Sequence, residues 1–335
     1  MSKNRLEYLD CLRGLVMLMV VFSHTCGNFC LDCKDGFWIG QIFAILMLPG
    51  FFFTSGWFTR ISLSGGAIFK RLKLMLVPTI SMFLIYVFIY WGNLSSLGYC
   101  ALGEYKFGYW FTFALFLMNI IHWLVSEIFK QFRFDERKMT IYSLCFLFII
   151  SVLIIILKDW DWNYNNGLLA GWFSLRLIAM YFPFYLMGLA CKQYERLFHR
   201  LICNEYVIGI LVIVFVASLF RLNNGFYYGT FQSGIGLLLL YRFCHLYQDT
   251  LSNKTFVGKQ LSLIGRNTLP IYLIHYFFFL GLKFPEIGGF LNNQTQWGLI
   301  FLIATIVTFL ITYSSMAVAK LIGISKPLSK ILIGK

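Results

Sequence analysis

Residues 13–24 read RGLVMLMVVFSH, an Arg and a His eleven positions apart with no other ionisable group between them. Charge inside a membrane-length apolar segment is expensive, so an Arg and a His placed there usually serve a pathway or a reaction. At 3.6 residues per turn, eleven residues make about three helical turns, so both side chains share one face, roughly 16 Å apart along the axis. That is about half of a hydrocarbon core. Asp10 lies three residues before Arg13, on the same stripe, where it can pair with the guanidinium. The competing interpretation is a neutralised Arg13 and a packed polar His24. On these residues alone both stay open.

The rest of the chain supports the membrane setting. It is 59% hydrophobic and 19% aromatic, with 13% charged residues, where a soluble domain carries roughly 25% charged. The apolar runs are long, so they predict helices rather than the alternating strands of a barrel. The first of them reads as a span, not as a cleaved leader. Ten spans are expected, near 9–29, 38–58, 74–92, 109–129, 140–157, 173–191, 205–221, 229–247, 267–282 and 297–319. The expected fold class is thus an all-α integral membrane protein. The loops between spans are too short for a soluble core, so residues 1–335 are read as a single polytopic domain.

Lys and Arg set the orientation. Of the 28 basic residues, 20 fall on the side that holds both termini and 5 (Lys34, Lys106, Lys158, Arg221 and Lys283) on the other. Arg13, Arg176 and Arg242 lie within spans. This asymmetry predicts cytoplasmic N- and C-termini. It also makes the net charge of +14 a topology and lipid-surface signature; no nucleic-acid partner is expected. Cys26, Cys30, Cys33 and Cys100 cluster towards the opposite side. A disulfide among them, or thiols, is favoured over zinc because no paired ligand motif is complete, and no metal is expected.

The histidines divide by depth. His122, His199 and His245 are read as packing or interface polarity. His24 and His275 lie deeper, nominally about 10 Å apart in depth at 1.5 Å per residue, and imidazole is a suitable base near neutral pH. Lys70, Arg71 and Lys73 gather at the cytoplasmic entrance of the third span. Positive-inside charge accounts for the two lysines. Arg13, being deeper, suits a phosphate-bearing ligand, because its planar fork grips oxyanions bidentately.

Five segments carry a resemblance. The opening RLEYLDCLRGLVMLMVVFSH (5–24), FFFTSGWF (51–58), GYWFTFALF (108–116), FPFYLMGLACK (182–192) and IGRNTLPIYLIH (264–275) resemble, in order, segments of the membrane-bound acyltransferase-3 family. The first carries its Arg, ten residues, then His. One departure stands out. Where the family often has Arg-x-x-Arg before a Pro, this chain has Lys70 and Lys73 before Pro78, two point charges without a fork.

The resemblance implies transfer of an acyl group, commonly acetyl, from acyl-CoA as cosubstrate to a hydroxyl of a cell-surface polysaccharide or lipid-linked glycan precursor. It implies a multi-pass protein of the cell membrane, a bacterial inner membrane in particular. The family roles fall on Arg13 for donor binding and His24 for catalysis, while Ser55, Tyr272 and His275 match further motif positions. Arg71 and Lys73 would assist Arg13 on the donor phosphates, and Asp10 would hold Arg13. His24 would deprotonate the acceptor or carry the acyl group itself. Ser55, Tyr272 or His275 would stabilise an oxyanion or orient His24; for Ser55, close helix packing beside Gly56 is the alternative.

The stretch 158–173, with Trp160, Trp162, Tyr164, Asp159, Asp161, Asn165 and Asn166, suits either sugar binding or a membrane interface. The rival function is a proton-coupled secondary transporter or glycan translocator, which also places Arg and His inside the membrane.

Overall fold

The computed structural model of the chain describes residues 7–29, 31, 38–93, 95–132, 135–164, 167–219, 226–281, 284–293 and 296–335, and no strand occurs among them. The helices in chain order are α1 (Glu7–Asn28), α2 (Trp38–Trp57), α3 (Gly65–Arg71), α4 (Val77–Trp91), α5 (Leu97–Leu102), α6 (Trp110–Lys130), α7 (Glu136–Tyr164), α8 (Leu168–Phe173) and α9 (Leu175–Gln193). They continue with α10 (Glu195–Ile202), α11 (Glu205–Leu219), α12 (Phe226–Leu246), α13 (Phe256–Arg266), α14 (Thr268–Gly281), α15 (Phe284–Asn292), α16 (Trp297–Ile322) and α17 (Lys326–Leu332).

Over the described residues each of the ten apolar segments is largely helical. Among the described residues, six helices are long and apolar enough to cross a membrane: Glu7–Asn28, Gly65–Trp91, Trp110–Lys130, Arg137–Asn163, Leu175–Gln193 and Trp297–Ile322. A seventh arises if α10 and α11, bent by 71° at their junction, count as one span. Two of the remaining segments form shorter apolar helices over the described residues, Ile42–Trp57 and Thr268–Leu280, and α12 carries the polar run GTFQSG near its start. The molecule is an all-α, multi-pass membrane protein.

Two compact units divide the chain. One comprises residues 1–51 and 196–318, the other 52–195 and 319–335. In the first, α1 is the enclosed helix. It packs backbone to backbone on α13: a Cβ on Gly14 would lie 2.1 Å from the Leu261 carbonyl oxygen, and one on Gly265 would lie 1.9 Å from that of Asp10. Only hydrogen at both positions permits this approach.

In the second unit the same device joins the end of α2 to α9. A Cβ on Gly56 would meet the Tyr185 carbonyl oxygen at 1.9 Å, and one on Gly188 would meet that of Phe53 at 1.9 Å. The packing reading of the Ser55–Gly56 pair is therefore realised at Gly56. Between α3 and α4 a π turn spans Leu72–Leu76. Pro78 has no N–H for the Leu74 carbonyl four residues back, which loosens the helix at that point. The backbone of Gly334, at φ 68°, abuts the same carbonyl. The Lys70–Pro78 departure from the family pattern thus coincides with a widened helical turn.

Asp161 is buried and accepts the N–H groups of Leu169 and Ala170 at 3.0 and 2.9 Å. It serves the turn into α8, whereas Trp160 and Trp162 remain exposed. Asn165 and Asn166 lie outside the described residues, as do Cys30 and Cys33. Cys26 and Cys100 are buried thiols.

Candidate functional site

In the first unit, α14 packs along α1 and brings His275 to His24. Their ring centroids are 5.3 Å apart, so the nominal depth offset between them is closed in the fold. Tyr276 sits at both rings. Its hydroxyl is 3.0 Å from Nε2 of His24, and its ring centroid is 4.1 Å from that of His275. Tyr272, one turn earlier on α14, lies 6.2 Å from the His275 ring.

The two histidines have different surroundings. Nδ1 of His275 faces the carbonyl oxygens of Ile271 and Tyr272 at 3.0 and 2.8 Å. A carbonyl only accepts, so Nδ1 carries the proton and Nε2 presents its lone pair. That Nε2 is buried and has no hydrogen-bond partner among the described residues. His24 is partly exposed. The pair therefore combines a reachable imidazole with a fixed lone pair behind it.

Towards the start of α1, Arg13 donates from Nη2 to Oγ1 of Thr268 at 3.0 Å, which ties the helix to the first residue of α14. Asp10 is 3% exposed and forms an ion pair with Nε of Arg266 at 3.6 Å. Arg266 also donates to Ser262 at 2.9 Å. Glu7 accepts from the backbone and side chain of Asn253 at 2.8 and 2.6 Å. This end of the unit is a polar lattice joining α1 to the α13 region.

The other unit holds Ser55, Arg71 and Lys73. Arg71 donates from Nη1 to Oδ1 of Asn119 and from Nη2 to Oγ1 of Thr59 at 3.0 Å. Tyr185 places its hydroxyl 3.2 Å from that Asn119 oxygen and 2.8 Å from Nδ1 of His122. His122 Nε2 reaches the Ile61 carbonyl at 2.9 Å. The neutral tautomer with the proton on Nε2 donates to the Ile61 carbonyl and leaves Nδ1 to accept from the Tyr185 hydroxyl. Lys73 is exposed, its Nζ 4.3 Å above the Phe69 ring. Ser55 gives its backbone oxygen to the Thr59 hydroxyl at 2.7 Å.

On the turn before α6, outside the spans, Glu104 pairs with Arg176 at 3.0 Å. Lys106 donates to the carbonyls of Ala101 and Gly171 at 2.8 and 2.9 Å. Burial pushes the Glu104 carboxyl up and the Lys106 ammonium down to about 8. Lys106 and Phe107 both have positive φ, which a non-glycine residue adopts at some cost.

The sequence singles out His24, His275, Arg13 and Arg71 as candidates; Tyr276, Thr268, Asn119 and Tyr185 join them only through the contacts described above. Tyr276 directly follows the His275 motif, and its place against His24 depends on the rotation of α14. Asn119 sits one turn before His122 on α6, so a shared polar face was readable there. Its contact with Arg71 was not.

A family model described as an acyltransferase domain matches residues 6–316. No curated protein and no solved structure matches the chain.

Proposed function

The chain belongs to the acyltransferase-3 family, and from that premise we propose that it transfers an acyl group, acetyl in the simplest case, from acyl-CoA to a hydroxyl. The acceptor is a cell-surface polysaccharide or a lipid-linked glycan precursor. The observation that carries the reading is the cluster of His24, His275 and Tyr276, in which a reachable imidazole stands beside a buried lone pair.

The chemistry follows from that arrangement. His24 removes the proton of the acceptor hydroxyl as the oxygen attacks the thioester carbonyl. The tetrahedral intermediate then collapses, the carbon–sulfur bond breaks, and the leaving thiolate takes the proton back from His24. Nε2 of His275 stabilises the imidazolium in between, since only one of two adjacent rings holds a charge. Tyr276 orients His24, and Tyr272 flanks His275.

Arg13 holds the phosphates of the donor, and Asp10 helps to hold Arg13 in position. Arg71 and Lys73 are proposed as further donor contacts; Arg71 already has Asn119 and Thr59 to fix its fork. Ser55 is proposed, as the resemblance implies, to stabilise the oxyanion or orient His24. The chain crosses the cell membrane ten times, with both termini in the cytoplasm. The 20 to 5 basic split and the ten helical segments support it.

The test uses the purified protein in liposomes with isotope-labelled acetyl-CoA and a lipid-linked glycan fraction. Label in the glycan by mass spectrometry is the expected result. Glycan or proton flux with no acylated product would overturn it in favour of a carrier.

A further inference from the structure

Where α10 and α12 end, two histidines and a cysteine converge within the unit of residues 1–51 and 196–318. His199 and Cys203 are four residues apart, and the helical turn persists between them, since the Cys203 N–H donates to the His199 carbonyl at 2.9 Å. Side chains at that spacing share a face. It is also the spacing by which two ligands on one helix grip zinc. His245 approaches from α12, its ring centroid 4.7 Å from that of His199. One ligand atom from each of His199, Cys203 and His245 lies within 4.8 Å of the other two.

A second observation points to a ligand. Nδ1 of His245 is buried and has no hydrogen-bond partner among the described residues. Leaving such an atom unsatisfied is costly, and imidazole nitrogen is the commonest metal donor.

The surroundings fix the set from behind. Tyr241, one turn before His245, places its hydroxyl 3.3 Å from Nε2 of His199 and 3.0 Å from the Tyr8 hydroxyl. Arg242 donates from Nη1 to the Cys203 sulfur at 3.4 Å. With His199 ligating through Nδ1, its Nε2–H donates to the Tyr241 hydroxyl, and hydrogen bonds of this kind to ligating groups are how proteins orient a metal's ligands.

We propose that His199, Cys203 and His245 form a binding site for a zinc-class divalent transition metal. Two nitrogens and one sulfur match the preferences of zinc. Cys203 is exposed, so a fourth coordination position opens to water. Bond lengths of about 2.0–2.3 Å require tetrahedral ligand atoms to lie roughly 3.3–3.8 Å apart. Rotation of the exposed Cys203 side chain supplies the closure. The thiol proton leaves to solvent as the metal–sulfur bond forms. The bound ion clips the end of α10 to the end of α12. The site stands independently of acyl transfer.

The probes are zinc and cobalt(II) alone, added to the full-length protein in detergent. The expected result is about one tightly held zinc per chain, a zinc-dependent rise in Tm, and a sulfur-to-metal absorption band in the cobalt form. Cys203→Ser, at an exposed position, should fold normally and lose the band and the Tm response. His245→Ala should weaken zinc binding by at least about tenfold. Cys145→Ser, at another exposed thiol, should behave as wild type. A wild-type protein that takes up no stoichiometric zinc, or a cobalt spectrum unchanged by Cys203→Ser, overturns the site.

Discussion

His24 is the reachable member of the histidine pair, so acyl transfer should depend on it most. Losing a general base costs roughly 10²–10⁴-fold in rate, and His24→Ala should lose at least the lower figure while inserting normally. His275→Ala should fall between wild type and that variant, because it removes support for the charge and not the proton acceptor. Tyr276→Phe deletes one hydrogen bond, worth about 0.5–1.5 kcal/mol, and should slow transfer by a correspondingly small factor. Single-turnover assays on all three order these roles; a fully active His24→Ala would mean that the ring is only packed. At the other end of α1, Arg13→Lys should weaken coenzyme A binding with the fold intact, since a point charge replaces the fork. Equal affinity in a direct binding assay would remove Arg13 from the donor site. The histidines were legible because His24 is ionisable in a segment that should not be, and because His275 ends a family segment. The lone pair of His275 was not legible. It follows from which carbonyls Nδ1 meets, and that is fixed by the fold.

Helices α1 and α13 touch through Gly14 and Gly265. A methyl group at Gly265 would need to share space with the Asp10 carbonyl, 1.9 Å away. Backbone cannot move aside as a side chain does, so overpacking should cost about 1–3 kcal/mol or more. Gly265→Ala should therefore lower Tm in detergent, and Gly289→Ala, with open space around its Cβ, should do so far less. Equal Tm losses would show that the contact is not limiting. The turn at Lys106 gives a pH signature. Its folded value is pushed down to about 8 by burial, below the ordinary lysine value of about 10.4. Between those values the unfolded chain holds more protons, so the contribution of Lys106 to stability rises with pH across that window. Comparing Tm with Lys106→Gln at pH 7.5 and at pH 10 isolates it; the two proteins should differ more favourably for wild type at the higher pH. The positions of the helices were readable from hydropathy, but their close contacts were not. Glycine spacing alone does not say which backbone comes near.

At the scale of the whole chain, the basic asymmetry predicts that a reporter fused after Lys335 is active only on the cytoplasmic side. Activity confined to the outside would refute the orientation. The multi-pass, all-helical nature was readable from composition, while the division into two units was not, because each unit is assembled from segments distant in sequence. Tyr276 meets His24 across 252 positions, and the last glycine of the chain seats against the Leu74 carbonyl. Polypeptides are made from the N-terminus at about 5–20 residues per second, so α1 precedes its partner on α14 by on the order of ten to fifty seconds. During that interval Arg13 and His24 sit in a nascent membrane segment without Thr268 or Tyr276. The discontinuity thus turns a spatial arrangement into a waiting time: the newborn first helix requires shelter, from the translocation machinery or from headgroup water, until the final third of the protein has been made.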